Sequence, residues 1–188
     1  LNLNSEANSL SSYEPGSKGW WLIIHELGHA LGLKHTHDGG GRDRPTLPDI
    51  GLGSLDQDLF SIMSYNDTFE FSRIKYDPAT PMLIDVIGLQ SLYGTNENKN
   101  TGDTIYDLGG YDLYYTIWDA GGTDTVSAET ADSGWYIQLP NAQLSEVVPE
   151  KFGYANEAMA AGQDAPETAT WLEGEIEHAT GSAYADTL

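Results

Sequence analysis

The sequence predicts an α+β fold in which helices come first along the chain and strands follow. Two observations support this prediction. Apolar residues recur at helical spacing from Trp20 to Leu31, behind Ser17, a residue type that caps helix starts. After Gly94, short β-branched and aromatic runs alternate with Gly, Asp, Asn and Thr, which is typical of strands joined by turns. Periodicity alone establishes no more than this α plus β class.

The first predicted helix begins after Ser17, the predicted N-cap. Its apolar stripe consists of Trp20, Ile24, Leu27 and Leu31, and we expect this stripe to pack in the core rather than contact a substrate.

A possible metal site lies on the same helix. His25 and His29 are four residues apart, so their imidazoles lie on one helix face with Cβ atoms about 5–6 Å apart. Zinc binds neutral imidazoles and keeps one position for water in catalytic sites, and Glu26 beside the ligands can take a proton from that water. This is the HExxH pattern. The alternative is that the histidines are structural or match the short motif by chance.

A third histidine extends the pattern. His35 lies six residues beyond His29, and a straight helix would turn it away from the ion. Gly32 removes this difficulty, because glycine readily adopts the left-handed conformation that ends helices and lets the chain turn back. Three imidazoles then form an open tripod. The additional matches at Gly32 and His35, and a methionine-containing segment at residues 61–65, disfavour a chance match.

The rest of the chain divides near Gly94, which predicts two regions, residues 1–94 and 95–188. Residues 36–60 predict an irregular loop, and a second helix can start at Pro81 and end at Gly94. Strands are predicted at residues 114–118 and 135–139, whereas residues 157–174 give no firm assignment.

Acidic and glycine residues between Asp119 and Asp124 are compatible with calcium, a hard cation that prefers carboxylate and carbonyl oxygens. Such Asp-Gly clusters also form plain turns, so both interpretations stay open at this point.

Composition limits the possible partners. The chain has 188 residues, which predicts one domain or two small ones, and it has no cysteine for disulfides or thiolate metal sites. Its formal net charge of −21 disfavours nucleic acid and anionic membrane surfaces, but suits divalent cations. No apolar run is long enough for membrane insertion, and the first residues lack a signal-peptide pattern, although the N-terminus looks internal.

These motifs resemble the metzincin clan, whose pattern is HExxHxxGxxH followed by a methionine turn. Within it, Ser61-Ile62-Met63-Ser64-Tyr65 is most similar to the serralysin family of secreted bacterial zinc endopeptidases. The resemblance continues through residues 81–94, 101–106 and 118–125. Thr36 departs from the proline that serralysins usually have after the third histidine.

The resemblance implies roles for individual residues. His25, His29 and His35 are implied to bind zinc, with Glu26 as the general base that deprotonates the attacking water. Tyr65 is implied to ligate zinc at rest and to swing away on substrate binding, where it hydrogen-bonds the developing oxyanion. Met63 is implied to be an apolar floor beneath the histidines.

The resemblance also implies the fold and a calcium site. The expected fold is a metzincin catalytic domain, truncated at its N-terminus, joined to a calcium-binding all-β region leading to a β-roll. Residues 181–188 match the glycine-rich nonapeptide of that roll only as a degenerate first repeat. Calcium is expected to bind the side chains of Asp119 and Asp124 and the backbone carbonyls of Asn100, Gly102, Thr104, Gly121 and Gly122. Glu177 is a candidate ligand of a neighbouring ion.

The function implied is a zinc-dependent endopeptidase that hydrolyses peptide bonds in protein substrates, is stabilised by Ca²⁺ and is secreted to the extracellular space. The missing N-terminal sheet of the same protein is an expected partner of this piece. The alternative function is a non-catalytic, calcium-dependent structural or adhesion module on a metalloprotease scaffold. The presence of Glu26 and all three histidines favours the endopeptidase.

Overall fold

A computed structural model of the chain describes residues 12–39, 45–66, 76–110, 113–143, 150–160 and 166–188. Within these residues two α-helices precede seven β-strands, so the predicted α+β class is confirmed. The helices are α1 (Lys18–Ala30) and α2 (Leu83–Tyr93). The strands are β1 (Ile105–Asp107), β2 (Tyr114–Asp119), β3 (Thr125–Ser127), β4 (Trp135–Gln143), β5 (Lys151–Glu157), β6 (Ala169–Gly174) and β7 (His178–Thr180).

Helix α1 begins as predicted but buries a different face. The Ser17 hydroxyl accepts a hydrogen bond from the Trp20 N–H at 3.3 Å. The prediction that the whole apolar stripe packs in the core is wrong, because Leu27 is 53% exposed and Leu31 is 38% exposed. The buried positions include His25 and Gly28, and Gly28 lies against the segment that contains Met63. The face that carries the histidines therefore meets the core.

The end of α1 redirects the chain. Gly32 has φ +95°, the left-handed conformation that L side chains rarely adopt. Its N–H donates to the His29 carbonyl at 3.0 Å, and the Leu33 N–H donates to the Gly28 carbonyl at 3.0 Å. These two bonds form a Schellman motif, which satisfies carbonyls that the helix end leaves free.

Helix α2 is fixed to the methionine-containing segment by one buried carboxylate. Pro81 precedes the N-cap residue Met82, and Gly94 ends the helix. The Asp85 carboxylate accepts from the Met82 N–H at 2.8 Å, the Ile62 N–H at 2.7 Å and the Ser61 hydroxyl at 2.6 Å. Burial raises the pKa of Asp85 to about 6, and these hydrogen bonds oppose the rise.

The strands form two sheets. One has the order β2-β6-β5-β4, in which β2 and β6 are parallel and the other pairs are antiparallel. The second has the order β1-β3-β7 and is parallel throughout. The predicted strands at 114–118 and 135–139 correspond to β2 and the first part of β4. The stretch at 157–174, which the sequence left open, contains β6 at its end.

Within the described ranges, buried apolar side chains form two core clusters. The first combines residues of α1, the methionine-containing segment and α2 with Tyr114, Ala169 and Trp171 of the sheet. The second lies between the two sheets and includes Leu108, Val126, Ile137 and Leu172. The first cluster contains residues from both sides of Gly94. The division of the chain into two regions, residues 1–94 and 95–188, stays a prediction.

Candidate metal centre

The structure brings the three predicted histidines together. His25 and His29 come from adjacent turns of α1, and His35 returns to them after the bend at Gly32. The ring centroids lie 4.8 Å apart for His25 and His29, 5.3 Å for His25 and His35, and 4.5 Å for His29 and His35. One ring nitrogen from each of them falls within a cluster that could hold a metal ion.

Each ring is oriented through its Nδ1 atom. His25 Nδ1 lies 2.6 Å from the Ile62 carbonyl oxygen, and His29 Nδ1 lies 3.0 Å from the Leu33 carbonyl oxygen. His35 Nδ1 lies 2.7 Å from Asp38 Oδ2. Because carbonyl and carboxylate oxygens only accept, each Nδ1 carries the proton and donates it. Each neutral ring is left with Nε2 as the nitrogen that can bind a metal.

The donor set fits a zinc ion. His29 Nε2 and His35 Nε2 face each other at 3.0 Å. When both rings are neutral and donate through Nδ1, the lone pairs of the two Nε2 atoms point at each other and repel. A cation bound between the two nitrogens removes this repulsion. A tetrahedral zinc with Zn–N bonds of 2.0–2.1 Å separates its ligands by about 3.3 Å. Burial lowers the pKa of His25, which favours the neutral imidazole that binds metal.

Glu26 and Tyr65 lie beside the tripod. The Tyr65 hydroxyl is 2.7 Å from His35 Nε2, and its ring centroid is 5.5 Å from that of His25. Burial raises the pKa of Tyr65, and the negative charges of Glu26 and Asp38 raise it further. Glu26 follows His25 directly in α1, and its negative charge acts on both His25 and Tyr65. Tyr65 is 58% exposed, which leaves its side chain room to move.

Met63 lies directly beneath α1, the helix that carries His25 and His29. It is 1% exposed, and a Cβ atom placed on Gly28 would come within 2.7 Å of its Sδ. The Ile62 carbonyl just before it orients His25. The methionine-containing segment is thus in direct contact with α1, and Met63 contributes apolar packing to the first core cluster.

Three further residues shape the site, and the sequence did not single them out as site residues. Asp38 orients His35 as described. Asp56 accepts from the Ser64 hydroxyl at 2.8 Å and from the Thr36 hydroxyl, which ties the loop after His35 to the residue before Tyr65. The Thr36 hydroxyl thus donates a hydrogen bond to Asp56 that a proline at this position could not make. A carboxylate three residues after a histidine ligand is a signal that could have identified Asp38.

The predicted calcium residues come from three parts of the chain: residues 100–104, residues 119–124 and Glu177. Asn100, Gly102 and Thr104 precede β1; Asp119 ends β2; Gly121, Gly122 and Asp124 form the turn to β3; and Glu177 precedes β7. Asp119 and Asp124 are fully buried. A Cβ atom on Gly122 would lie 2.9 Å from both Asp124 Oδ2 and the Gly102 carbonyl oxygen, so these two oxygens approach each other around that glycine.

The contacts of the two aspartates differ. Asp119 accepts from the Gly121 N–H at 2.8 Å and from the Tyr106 hydroxyl. Asp124 Oδ1 accepts from the Thr104 N–H at 2.7 Å, whereas its buried Oδ2 has no hydrogen-bond partner among the residues that the structure describes. Glu177 accepts from the Asp124 N–H at 2.8 Å. Burial raises the pKa of Asp124, as do the nearby charges of Asp119 and Glu177. An orphaned carboxylate oxygen among acidic groups fits a cation.

Comparison with known proteins finds serralysins and related metallopeptidases. The chain is 33% identical to Serralysin C of Dickeya chrysanthemi over 77% of its own length. Over the matched residues the chain is of the serralysin type. It is also 32% identical over 69% of its length to Metallopeptidase AprA of Pseudomonas marginalis, and 30% identical over 78% to Serralysin of Photorhabdus sp. (strain Az29). No family model matches it.

The matches cover only part of these serralysins. The chain spans 33%, 31% and 34% of the length of the three relatives, respectively, which is about a third. Among the described residues of this serralysin-type chain, no helix is both long and apolar enough to cross a membrane.

Proposed function

We propose that the protein is a secreted zinc endopeptidase that hydrolyses internal peptide bonds of protein substrates. One observation carries this proposal: three imidazoles, each oriented through Nδ1, direct Nε2 toward one point beside Glu26 and Tyr65. The similarity to proteins named serralysins and metallopeptidases supports it.

His25, His29 and His35 would hold the ion, and zinc in such a site supplies Lewis acidity toward the substrate carbonyl. Glu26 takes a proton from the attacking water and returns it to the amine that leaves. The Tyr65 hydroxyl donates to the carbonyl oxygen as negative charge develops there. For this step Tyr65 must leave His35, and its exposure permits the movement.

We also propose an assignment of the two regions of the chain to parts of the family's fold. Residues 1–94 are the C-terminal part of a metzincin catalytic domain, and residues 95–188 are a calcium-binding region that leads to a β-roll. The parallel β1-β3-β7 sheet supports a roll, since rolls stack parallel strands. The orphaned Asp124 Oδ2 supports calcium.

The exposed apolar face of α1 supports a partner for this piece. Ile23, Leu27 and Leu31 are spaced four residues apart and are 40%, 53% and 38% exposed. A row of large apolar side chains on one helix face favours burial against another element. We propose that the N-terminal sheet of the same protein covers this face.

The test is a casein cleavage assay with zinc analysis on the full-length protein. It compares the wild type with Glu26→Gln and with the exposed control Glu97→Gln, with and without a zinc chelator. We expect chelation to abolish cleavage and Glu26→Gln to lower kcat by a factor of about 10²–10⁴ while zinc stays bound. Zinc binding without cleavage by the wild type would instead favour the calcium-dependent structural or adhesion module.

A further inference from the structure

A fourth histidine lies beside the tripod and has no role in the proposed reaction. The His37 ring is stacked parallel to His35, with centroids 5.5 Å apart, and is 5.4 Å from the Tyr65 ring. Its side chain is 40% exposed. His35, His37 and Asp38 form a second cluster of ligand atoms that lie within 4.8 Å of one another.

Asp38 offers one carboxylate oxygen to each histidine. Its Oδ2 accepts from His35 Nδ1 at 2.7 Å, while its Oδ1 lies 4.0 Å from His37 Nε2. A zinc ion bonded to both atoms needs them about 3.3–3.4 Å apart. Both side chains are substantially exposed, so they can close that gap by small rotations. The Lys34 ammonium contacts the Asp38 backbone carbonyl, which leaves the carboxylate accessible to a cation.

The other nitrogen of His37 faces a second carboxylate. His37 Nδ1 lies 3.9 Å from Asp56 Oδ2, and Asp56 is held in place by Ser64. A carboxylate beside the far ring nitrogen orients a histidine and makes it a better metal ligand. The ring thus lies between Asp56, which can orient it, and Asp38, which can share an ion with it.

We propose that His37 and Asp38 form a second, weaker site for a transition-metal ion such as Zn²⁺, and that filling this site inhibits the peptidase. The inhibition rests on the proposed function, whereas the site itself does not. An ion there draws Asp38 away from His35 and stands next to Tyr65, the side chain that must move during the reaction. Imidazole with carboxylate is a ligand pair that suits zinc better than calcium.

The test is equilibrium dialysis of the full-length protein against Zn²⁺ in saturating Ca²⁺, which keeps the acidic oxygen sites filled. We compare the wild type with His37→Gln and with the matched control His178→Gln, an exposed histidine on β7. The expected result is two zinc ions per chain for the wild type and the control, the second bound at least tenfold more weakly. His37→Gln should bind one ion, and its cleavage activity should tolerate at least tenfold more Zn²⁺.

The outcomes separate the two proposals. One zinc ion on the wild type with normal cleavage would overturn the second site and leave the proposed function intact. Two ions on His37→Gln would also overturn it. No bound zinc on any variant would overturn both proposals.

Discussion

Replacing Gly28 with alanine tests whether the methionine-containing segment supports the ligand helix. Gly28 lies in α1 between His25 and His29. An added Cβ would lie 2.7 Å from Met63 Sδ, with Ile62 Cδ1 at 3.7 Å and Leu33 Cδ1 at 3.6 Å. Gly88 in α2 is the matched control, because a Cβ there meets only the tip of Leu33, at 3.2 Å.

Two opposing effects set the magnitude. Alanine stabilises a helix interior by about 1 kcal/mol relative to glycine. At Gly28 the extra methyl group overpacks a core in which Met63 is 1% exposed, and such overpacking costs about 1–3 kcal/mol. We therefore expect Gly28→Ala to lower the free energy of unfolding by up to about 2 kcal/mol. Gly88→Ala should leave it unchanged or raise it by up to about 1 kcal/mol, because the Leu33 tip can move.

The assay is urea unfolding of both variants, with zinc dissociation constants from competition against a chelator. Displacement of Met63 also moves the Ile62 carbonyl that orients His25, so Gly28→Ala should weaken zinc binding by roughly tenfold. Gly88→Ala should not change zinc affinity. If Gly28→Ala stabilised the protein as much as Gly88→Ala does, the contact between the methionine-containing segment and α1 would not constrain the metal site.

Three further predictions concern carboxylates. Asp38→Asn should weaken zinc binding by about 10–100-fold in the same competition assay, since it alters the group that orients His35, whereas the exposed control Asp132→Asn should have no effect. Asp124→Asn should remove most of the Ca²⁺-induced rise in Tm, and an unchanged rise would place the ion elsewhere. Burial raises the pKa of Glu173 to about 9, so in the folded state it holds a proton that the unfolded chain releases above about 4.5. The stability that Glu173 contributes therefore falls as the pH rises through this window, so Glu173→Gln should gain roughly 1 kcal/mol over wild type per pH unit between pH 6 and 8; a pH-independent difference would contradict this.

The local features that the sequence predicts well share one property: they depend on neighbours along the chain. Ser17, Gly32 and Gly94 act on the helix ends next to them, so their effects follow from sequence. The spacing of His25, His29 and His35 likewise determines their convergence once the bend at Gly32 is known.

The features that the sequence does not predict depend on distant contacts. The apolar stripe of α1 gives only part of the buried face, because Ile24 is buried but Leu27 and Leu31 are exposed. The packing of Gly28 against Met63 decides which face is covered. Asp85 joins α2 to a segment more than 20 residues away, and no local pattern indicates that role. Strand β6 is recognisable only through its pairing with β2 and β5.

X-ray absorption spectroscopy of the zinc-loaded protein tests the tripod most directly. We predict three imidazole ligands with Zn–N distances of about 2.0–2.1 Å in the wild type, and one fewer imidazole in His35→Ala. His178→Ala, which changes an exposed histidine outside the site, should leave the spectrum unchanged. Fewer than three imidazoles in the wild type, or an unchanged spectrum for His35→Ala, would contradict the zinc site assigned to His25, His29 and His35.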